Sequence, residues 1–236
     1  MNAKRYRFRP IQDMLRLVFP RNCYSCGKAL VGDEHDICCN CLLHLPTTQY
    51  SHIDGNTTEQ RFMGRFEFEA ATSLLYYRKN GSTQRLLHNI KYYGKSELAR
   101  VMGRQLGQAL ATSGRFDDVD LLIPIPLHPW KKFKRGYNQS ELLCKGIAET
   151  FPRPICKTAV KRIANTHSQT HKNRLERMDN MENAFQVTHP DRIKGKHLLV
   201  VDDVITTGAT VTECCTALLH TGGVHISIAS LAIAGD

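Results

Sequence analysis

The chain has 236 residues, of which 42% are hydrophobic and 23% charged, a composition typical of globular proteins and not of disordered or fibrous ones. This length suits one domain with a single large core and a small accessory module. No apolar run approaches the roughly 20 residues needed to cross a bilayer, so we expect neither a membrane span nor a cleaved signal. The formal net charge of +10 favours anionic partners such as nucleic acid, anionic lipid or phosphorylated small molecules.

Nine cysteines are present, and five of them lie between positions 23 and 41. This clustering, with an odd total, favours a metal site in a reducing cytosol over a disulfide framework, and we therefore expect a cytoplasmic protein. Two Cys-x-x-Cys pairs supply the four sulfur ligands of a structural zinc ion, and these ligands are Cys23, Cys26, Cys38 and Cys41. The alternative is a group of buried free thiols or a redox pair, which is weaker because so small a module has little apolar mass to fold without a metal.

The sequence predicts two domains. Residues 1–50 would form an N-terminal helix and a zinc-ribbon module, residues 51–64 a polar linker, and residues 65–236 a larger domain. In the larger domain short apolar segments alternate with amphipathic ones. Segment 66–77 is predicted to be a hairpin or a strand. The other predicted strands are 119–126, 155–163, 197–201 and 224–234, and the predicted helices are 83–93, 96–110, 138–149 and 210–220. This alternation predicts an α/β fold with a mostly parallel sheet flanked by helices, whose ligands bind at the carboxyl ends of the strands.

The most informative segment is 198–210, in which a buried apolar strand runs into two adjacent carboxylates, Asp202 and Asp203. A loop follows that offers hydroxyl groups and backbone N–H groups to a phosphate at the start of a helix, and its residues are Thr206, Thr207, Gly208, Ala209 and Thr210. The paired carboxylates can accept hydrogen bonds from sugar hydroxyls beside that phosphate. The simpler alternative is an acidic strand end followed by an ordinary helix cap.

Over its whole length, segment 198–210 resembles the signature with which type I phosphoribosyltransferases bind phosphoribosyl diphosphate (PRPP). Three further stretches, 123–127, 134–139 and 166–169, resemble the ComF family. This is a phosphoribosyltransferase-like group with an N-terminal zinc module, and it includes competence proteins of bacterial DNA uptake. The resemblance implies a type I phosphoribosyltransferase fold and a magnesium-dependent transfer of ribose 5-phosphate from PRPP to an acceptor that the sequence does not identify.

The resemblance also implies roles for individual residues. Asp202 and Asp203 would be the catalytic pair that binds the ribose hydroxyls, while residues 206–210 would cradle the 5-phosphate. Leu127 and His128 would occupy the diphosphate loop, and Mg²⁺ would bridge the diphosphate and the ribose hydroxyls. Segment 165–180 would be a flexible cover that excludes water, with Thr166, Gln169 and Arg177 as its candidate residues.

A basic stretch beside the proposed diphosphate loop combines cations with aromatic rings, and its residues are Lys131, Lys132, Phe133, Lys134, Arg135 and Tyr137. Three interpretations stay open: an electrostatic funnel for PRPP, a track for single-stranded DNA, or a solvated loop. The second supports an alternative function, in which a non-enzymatic protein on the same scaffold binds single-stranded DNA or a competence helicase. The sequence does not indicate an oligomeric state.

Overall fold

The computed structural model describes residues 21–92, 96–163 and 184–235. They form two compact units that divide between Leu45 and Pro46. Two predicted features lie outside the described residues, namely the N-terminal helix and the flexible cover with Thr166, Gln169 and Arg177. None of the helices in the described part of the chain combines the length and the apolar character needed to cross a bilayer.

The described part of the N-terminal unit, residues 21–45, is built from tight turns and one short helix. Its first turn is closed by the N–H of Gly27, which donates to the carbonyl of Cys23 at 2.8 Å. Gly27 has a φ of +79°, a conformation that favours glycine. Helix α1 spans Cys39–Leu43, and the sulfur of Cys38 caps it by accepting the N–H of Cys41 at 3.4 Å. The two turns that carry the Cys-x-x-Cys pairs are thus fixed by backbone hydrogen bonds and by one sulfur cap.

The larger unit contains a four-stranded sheet in which all strands run parallel. Its strands are β1 (Ala70–Tyr77), β2 (Leu121–Pro124), β5 (His197–Ile205) and β6 (His225–Ala234), arranged in the order β1-β6-β5-β2. A separate antiparallel pair consists of β3 (Val160–Arg162) and β4 (Phe185–Val187). The central strands β5 and β6 are largely buried and mostly apolar, as expected for a parallel sheet that is covered on both faces.

Within residues 46–92, 96–163 and 184–235, six helices accompany these strands. They are α2 (Thr57–Phe62), α3 (Ser82–Tyr92), α4 (Ser96–Ser113), α5 (Pro129–Arg135), α6 (Gln139–Thr150) and α7 (Ala209–Leu219), and short 3₁₀ turns lie at Tyr50–His52 and Pro190–Arg192. The predicted α/β class, a mostly parallel sheet flanked by helices, is confirmed. Asn138 caps α6 as its sequence pattern indicates, because its side-chain oxygen accepts the N–H of Ser140 at 3.1 Å.

Helices α4 and α6 approach each other closely at three glycines, Gly103, Gly107 and Gly146. A Cβ atom on Gly146 would stand only 2.1 Å from the carbonyl oxygen of Arg100. The absence of side chains at these positions therefore sets the separation of the two helices, and with it the position of the α6 N-terminus beside the sheet.

The structure differs from the predicted domain boundaries in segment 51–64. This segment belongs to the larger unit and forms α2, whose Phe62 is fully buried. Asn56 caps the helix by accepting the N–H groups of Thr58 and Glu59. The sequence suggested a linker because so short a helix shows no apolar period and because two of its three buried residues, Thr58 and Glu59, are polar.

A candidate anion site at the end of strand β5, and a cysteine cluster

Asp202 and Asp203 lie near the carboxyl end of β5, on the edge of the sheet where the parallel strands deliver their loops. The chain leaving β2 passes beside them, since the N–H of Ile125 donates to the carbonyl of Val201 at 3.0 Å. One oxygen of Asp202 accepts the N–H of Asp203 at 2.8 Å and the hydroxyl of Ser140 at 3.3 Å. Burial and the negative charge of Asp203 raise the pKa of Asp202 to about 7.

Asp203 has a partner that the sequence analysis missed. Its carboxylate lies 3.1 Å from the ammonium of Lys91, which is on α3. Both groups are largely buried, with 21% of the Lys91 side chain and 12% of the Asp203 side chain exposed. The two adjacent carboxylates thus contact different elements, Asp202 the start of α6 and Asp203 the end of α3. This arrangement is consistent with the opposite faces to which successive residues of a strand point.

Residues 206–208 form the loop that joins the acidic strand end to α7, and Ala209 and Thr210 are the first two residues of that helix. Gly208 is the residue before the helix, its φ is +81°, and no side chain caps the helix at this residue. The N–H of Ala209 donates to the hydroxyl of Thr207 at 3.4 Å, the N–H groups that follow it in the first turn are available to a ligand, and the helix dipole favours an anion there. A cavity of about 40 Å³ lies at this point and is lined by Asp202 and by residues 204–211.

Two arginines, one in α2 and one just after it, form hydrogen bonds to backbone carbonyls of the loop that follows β5. Arg61 donates to the carbonyl of Thr206, and Arg65 donates to the carbonyl of Thr207 at 2.8 Å. In a trans peptide the N–H points away from the carbonyl of the same unit, so the N–H groups of Thr207 and Gly208 are directed away from these arginines. Neither arginine was identified from the sequence, because they lie in the segment interpreted as linker and just after it.

The proposed diphosphate loop leads into the basic stretch, most of which is helix α5. His128 accepts the N–H of Trp130 at 3.3 Å and thereby caps this helix. Trp130 and Phe133 are 60% and 89% exposed, and the ammonium of Lys134 lies 5.5 Å from the Trp130 ring. Tyr137 differs from them, because it is half-buried and its hydroxyl donates to the carbonyl of Ile90.

The four cysteines predicted to bind zinc come together in the N-terminal unit, where their sulfur atoms all lie within 4.8 Å of one another. Burial opposes ionisation of Cys23, but backbone N–H groups, chiefly those of Cys26 and Cys38, outweigh it and lower the pKa of Cys23 to about 7. Burial and the neighbouring sulfurs raise the pKa of Cys41 to about 12. Four thiolates can share so small a volume only with a compensating cation, and this donor set fits a tetrahedral zinc ion.

Comparison with known proteins identifies three named relatives. The chain is 32% identical to DNA utilization protein YhgH of Escherichia coli K12 over 146 residues, which cover 61% of this chain and 63% of that protein. It is 30% identical to Competence protein F of Haemophilus influenzae over 151 residues (62% and 66%) and 27% identical to Competence protein ComFC of Bacillus subtilis over 146 residues (62% and 57%). The matches span less than two thirds of the length of these relatives.

These homologues confirm the resemblance to the ComF family that the sequence motifs indicate. No family model matches the chain. Among solved structures, glutamine PRPP amidotransferase from B. subtilis is similar, with a TM-score of 0.42, 18% identity and coverage of 60% of this chain and 30% of that one. A structure described as the allosteric regulatory enzyme of purine biosynthesis has a TM-score of 0.41 and 17% identity, with the same coverage.

Proposed function

We propose that the larger unit binds PRPP and transfers its ribose 5-phosphate group to an acceptor, and that this activity serves DNA uptake in the bacterial cytoplasm. The observation that carries the proposal is the junction of β5 with α7. There, two carboxylates near the end of β5 are followed by a short loop and by a helix N-terminus without a side-chain cap at Gly208. A sugar phosphate is a ligand with hydroxyl donors next to a phosphate, and this junction offers acceptors and N–H donors in the same order.

Each part of the site has a defined task in this proposal. Asp202 and Asp203 accept hydrogen bonds from the ribose hydroxyls, and the N–H groups and hydroxyls of residues 206–210 bind the 5-phosphate. The protein then orients the anomeric carbon toward an incoming nucleophile, and positioning supplies most of the rate enhancement. Magnesium bound together with PRPP would be held mainly by oxygens of PRPP itself with Asp202 nearby, and it would neutralise charge on the departing diphosphate.

Titration calorimetry with PRPP and Mg²⁺ tests this proposal. We expect the wild type to bind, and we expect the double variant Asp202→Asn, Asp203→Asn to lose at least about tenfold in affinity, which corresponds to about 1.4 kcal/mol. Asp118→Asn, which removes an exposed carboxylate of the same size, is the matched control and should bind like the wild type. Absence of binding in the wild type, or equal binding in the double variant, would refute the proposal.

For the N-terminal unit we propose a structural zinc ion held by Cys23, Cys26, Cys38 and Cys41. The four sulfurs fill the coordination sphere of a tetrahedral ion, which leaves no open position for a substrate. The metal would therefore stabilise the fold of this unit and take no part in catalysis.

A second candidate function is the binding of single-stranded DNA by α5. It is favoured by the two exposed rings of Trp130 and Phe133, which alternate with cations along a short helix. Exposed aromatic faces stack on unpaired bases, and the cations attract the phosphates. The names of the relatives, which refer to DNA utilization and competence, are compatible with this function.

Fluorescence anisotropy with oligonucleotides over a salt series tests the second function. We expect the double variant Trp130→Ala, Phe133→Ala to bind at least about tenfold more weakly, because one stacked base contributes about 1–3 kcal/mol. Met63→Ala, which removes an exposed apolar side chain outside α5, is the control. Negligible binding at low salt would remove DNA as a direct ligand.

A further inference from the structure

The proposed anion site contains an ion pair between Lys91 and Asp203, so the cation nearest to the paired carboxylates already has an anionic partner in the protein. Its atoms lie 3.1 Å apart and are largely removed from solvent. Asp203 is also one of the two carboxylates that would accept hydrogen bonds from a ribose ring. A sugar that uses Asp203 therefore competes with Lys91 for the same carboxylate, and an ammonium that loses this partner needs another anion nearby.

Further cations lie around the end of α3. The guanidinium of Arg135 is 5.4 Å from the ring of Tyr92, the residue after Lys91. Lys131, on the same helix as Arg135, has a lowered pKa, mainly because of burial and then because of the charges of Arg162, Arg135 and Lys91. In the described part of the chain no carboxylate lies within ion-pair distance of Lys131. A partly buried ammonium that faces three other cations is destabilised unless an anion binds between them.

Gln139 gives an independent indication of a ligand-binding position. Its side chain is 1% exposed, and its amide oxygen accepts a hydrogen bond from Arg135 at 3.0 Å. Because arginine only donates, this contact fixes which end of the amide is oxygen. The amide nitrogen is buried and has no hydrogen-bond partner among the described residues. A buried unpaired donor next to Ser140, which contacts Asp202, is typical of a site that is completed by an acceptor.

We propose that the ammonium of Lys91 changes its partner on ligand binding. It pairs with Asp203 in the free protein, and it pairs with the diphosphate group when a diphosphate-bearing sugar binds. Lys131 and the free amide N–H of Gln139 would complete the same diphosphate subsite. This inference rests on the proposed function, and it deepens that function by identifying the diphosphate as the anion that replaces Asp203 as the partner of Lys91. Lys91 acts as a positioning residue: it keeps Asp203 neutralised without ligand and releases it to the ribose hydroxyls with ligand.

The test compares three ligands in the presence of Mg²⁺, namely PRPP, inorganic diphosphate and ribose 5-phosphate, by titration calorimetry. We expect Lys91→Gln to weaken the binding of PRPP and of diphosphate at least tenfold. It should leave the affinity for ribose 5-phosphate unchanged or raise it, because Asp203 loses a competitor. Lys91→Arg keeps the charge and should restore most of the affinity for diphosphate. Lys194→Gln, which removes an exposed cation outside α5, is the matched control and should bind all three ligands like the wild type.

A second variant addresses the amide. Gln139→Glu keeps the size of the side chain and an oxygen for Arg135, but it replaces the free N–H₂ with an acceptor. We expect it to weaken diphosphate and PRPP binding and to spare ribose 5-phosphate. Thermal unfolding of every variant shows whether the fold is retained.

The outcomes separate this inference from the proposed function. If the wild type binds PRPP and Lys91→Gln binds it equally well, the inference is wrong and the proposed function stands. A uniform loss of all three ligands in Lys91→Gln would also overturn it, because that result indicates a general structural role. If the wild type binds none of the three ligands, both fail.

Discussion

Phe62 lies directly against the backbone of Gly208, so that a Cβ atom on Gly208 would stand 2.8 Å from Cε1 of Phe62. The contact joins α2 to the loop that follows the acidic strand end. Together with the hydrogen bonds from Arg61 and Arg65, it fixes the loop from the side opposite to its ligand-facing N–H groups. The shape of the anion site thus depends on a helix from a distant part of the chain.

Replacement of Gly208 by alanine should distort this loop. The new residue must adopt a φ of +81°, which costs about 1–2 kcal/mol, and its methyl group must also displace the ring of Phe62. We expect a destabilisation of more than about 2 kcal/mol in urea unfolding and a loss of PRPP affinity. Gly114→Ala is the matched control, since Gly114 has a φ of +73° with no atom within 4 Å of the added methyl. Equal destabilisation in the two variants would contradict the role of the Phe62 contact.

The raised pKa of Asp202 predicts how stability changes with pH. Its pKa is 3.8 ordinarily and about 7 in the folded protein, mainly because of burial. Between about pH 4 and about pH 7 the folded state therefore binds more protons than the unfolded state, and the free energy of unfolding falls as the pH rises through this window. Above the window both states are ionised, and the loss is complete.

Asp202→Asn removes this titration. Relative to the wild type, the variant should gain stability as the pH rises from about 4 to about 8, by about 1.4 kcal/mol for each pKa unit of the shift. Urea unfolding at both pH values measures this difference, and Asp118→Asn corrects for the loss of an exposed carboxylate. Parallel stability curves for wild type and Asp202→Asn would show that Asp202 does not titrate in this window.

The cysteine cluster allows a test between neighbouring residues. Cys38 belongs to the group of four sulfurs, whereas Cys39 is exposed and lies outside it. Native mass spectrometry should show a single bound zinc ion in the wild type and in Cys39→Ser. Loss of a residue that only hydrogen-bonds to a metal ligand typically lowers metal affinity by roughly 10–100-fold. Cys38→Ser removes a ligand itself, so its zinc affinity should fall by more than this. Retention of the metal by Cys38→Ser, or its loss from Cys39→Ser, would contradict the assigned ligand set.

Much of the fold could be predicted because long elements carry their own periodic signals. The helices at 96–110 and 138–149 and the strands at 197–201 and 224–234 were placed within a few residues of their observed bounds. Short elements gave no such signal. Helix α2 buries polar residues, and α5 is a run of cations and aromatics, so neither has an apolar face to detect.

The candidate site shows the same division. Asp202, Asp203 and the loop 206–210 are contiguous in the chain, and their pattern could be identified without a structure. Lys91, Arg61 and Gln139 come from three other elements, and only tertiary folding brings Lys91 and Arg61 into contact with that segment. A single sequence carries no signal for such contacts, because the lysine and the arginine are residue types that usually lie on a solvated surface.

The last prediction concerns how segment 51–64 is anchored. Arg115 lies 2.6 Å from the carboxylate of Glu59 on α2, and it also donates to the carbonyl of Ile53 at 3.1 Å. Only 8% of the Glu59 side chain is exposed, and its carboxylate also accepts the N–H of Ala71 on β1 at 3.1 Å. Arg115→Met would leave this carboxylate buried without its cation, which typically costs about 3–5 kcal/mol.

Urea unfolding of three variants checks this. Lys157→Met breaks the more exposed pair with Glu141 and should cost at most about 1 kcal/mol. The double variant Arg115→Met, Glu59→Gln should recover part of the loss, because a neutral amide is cheaper to bury than an unpaired carboxylate. If Arg115→Met costs no more than Lys157→Met, the ion pair between Glu59 and Arg115 does not anchor α2. A large loss with partial recovery would instead show that this ion pair anchors α2, and would explain how Phe62, Arg61 and Arg65 can keep the anion loop in place.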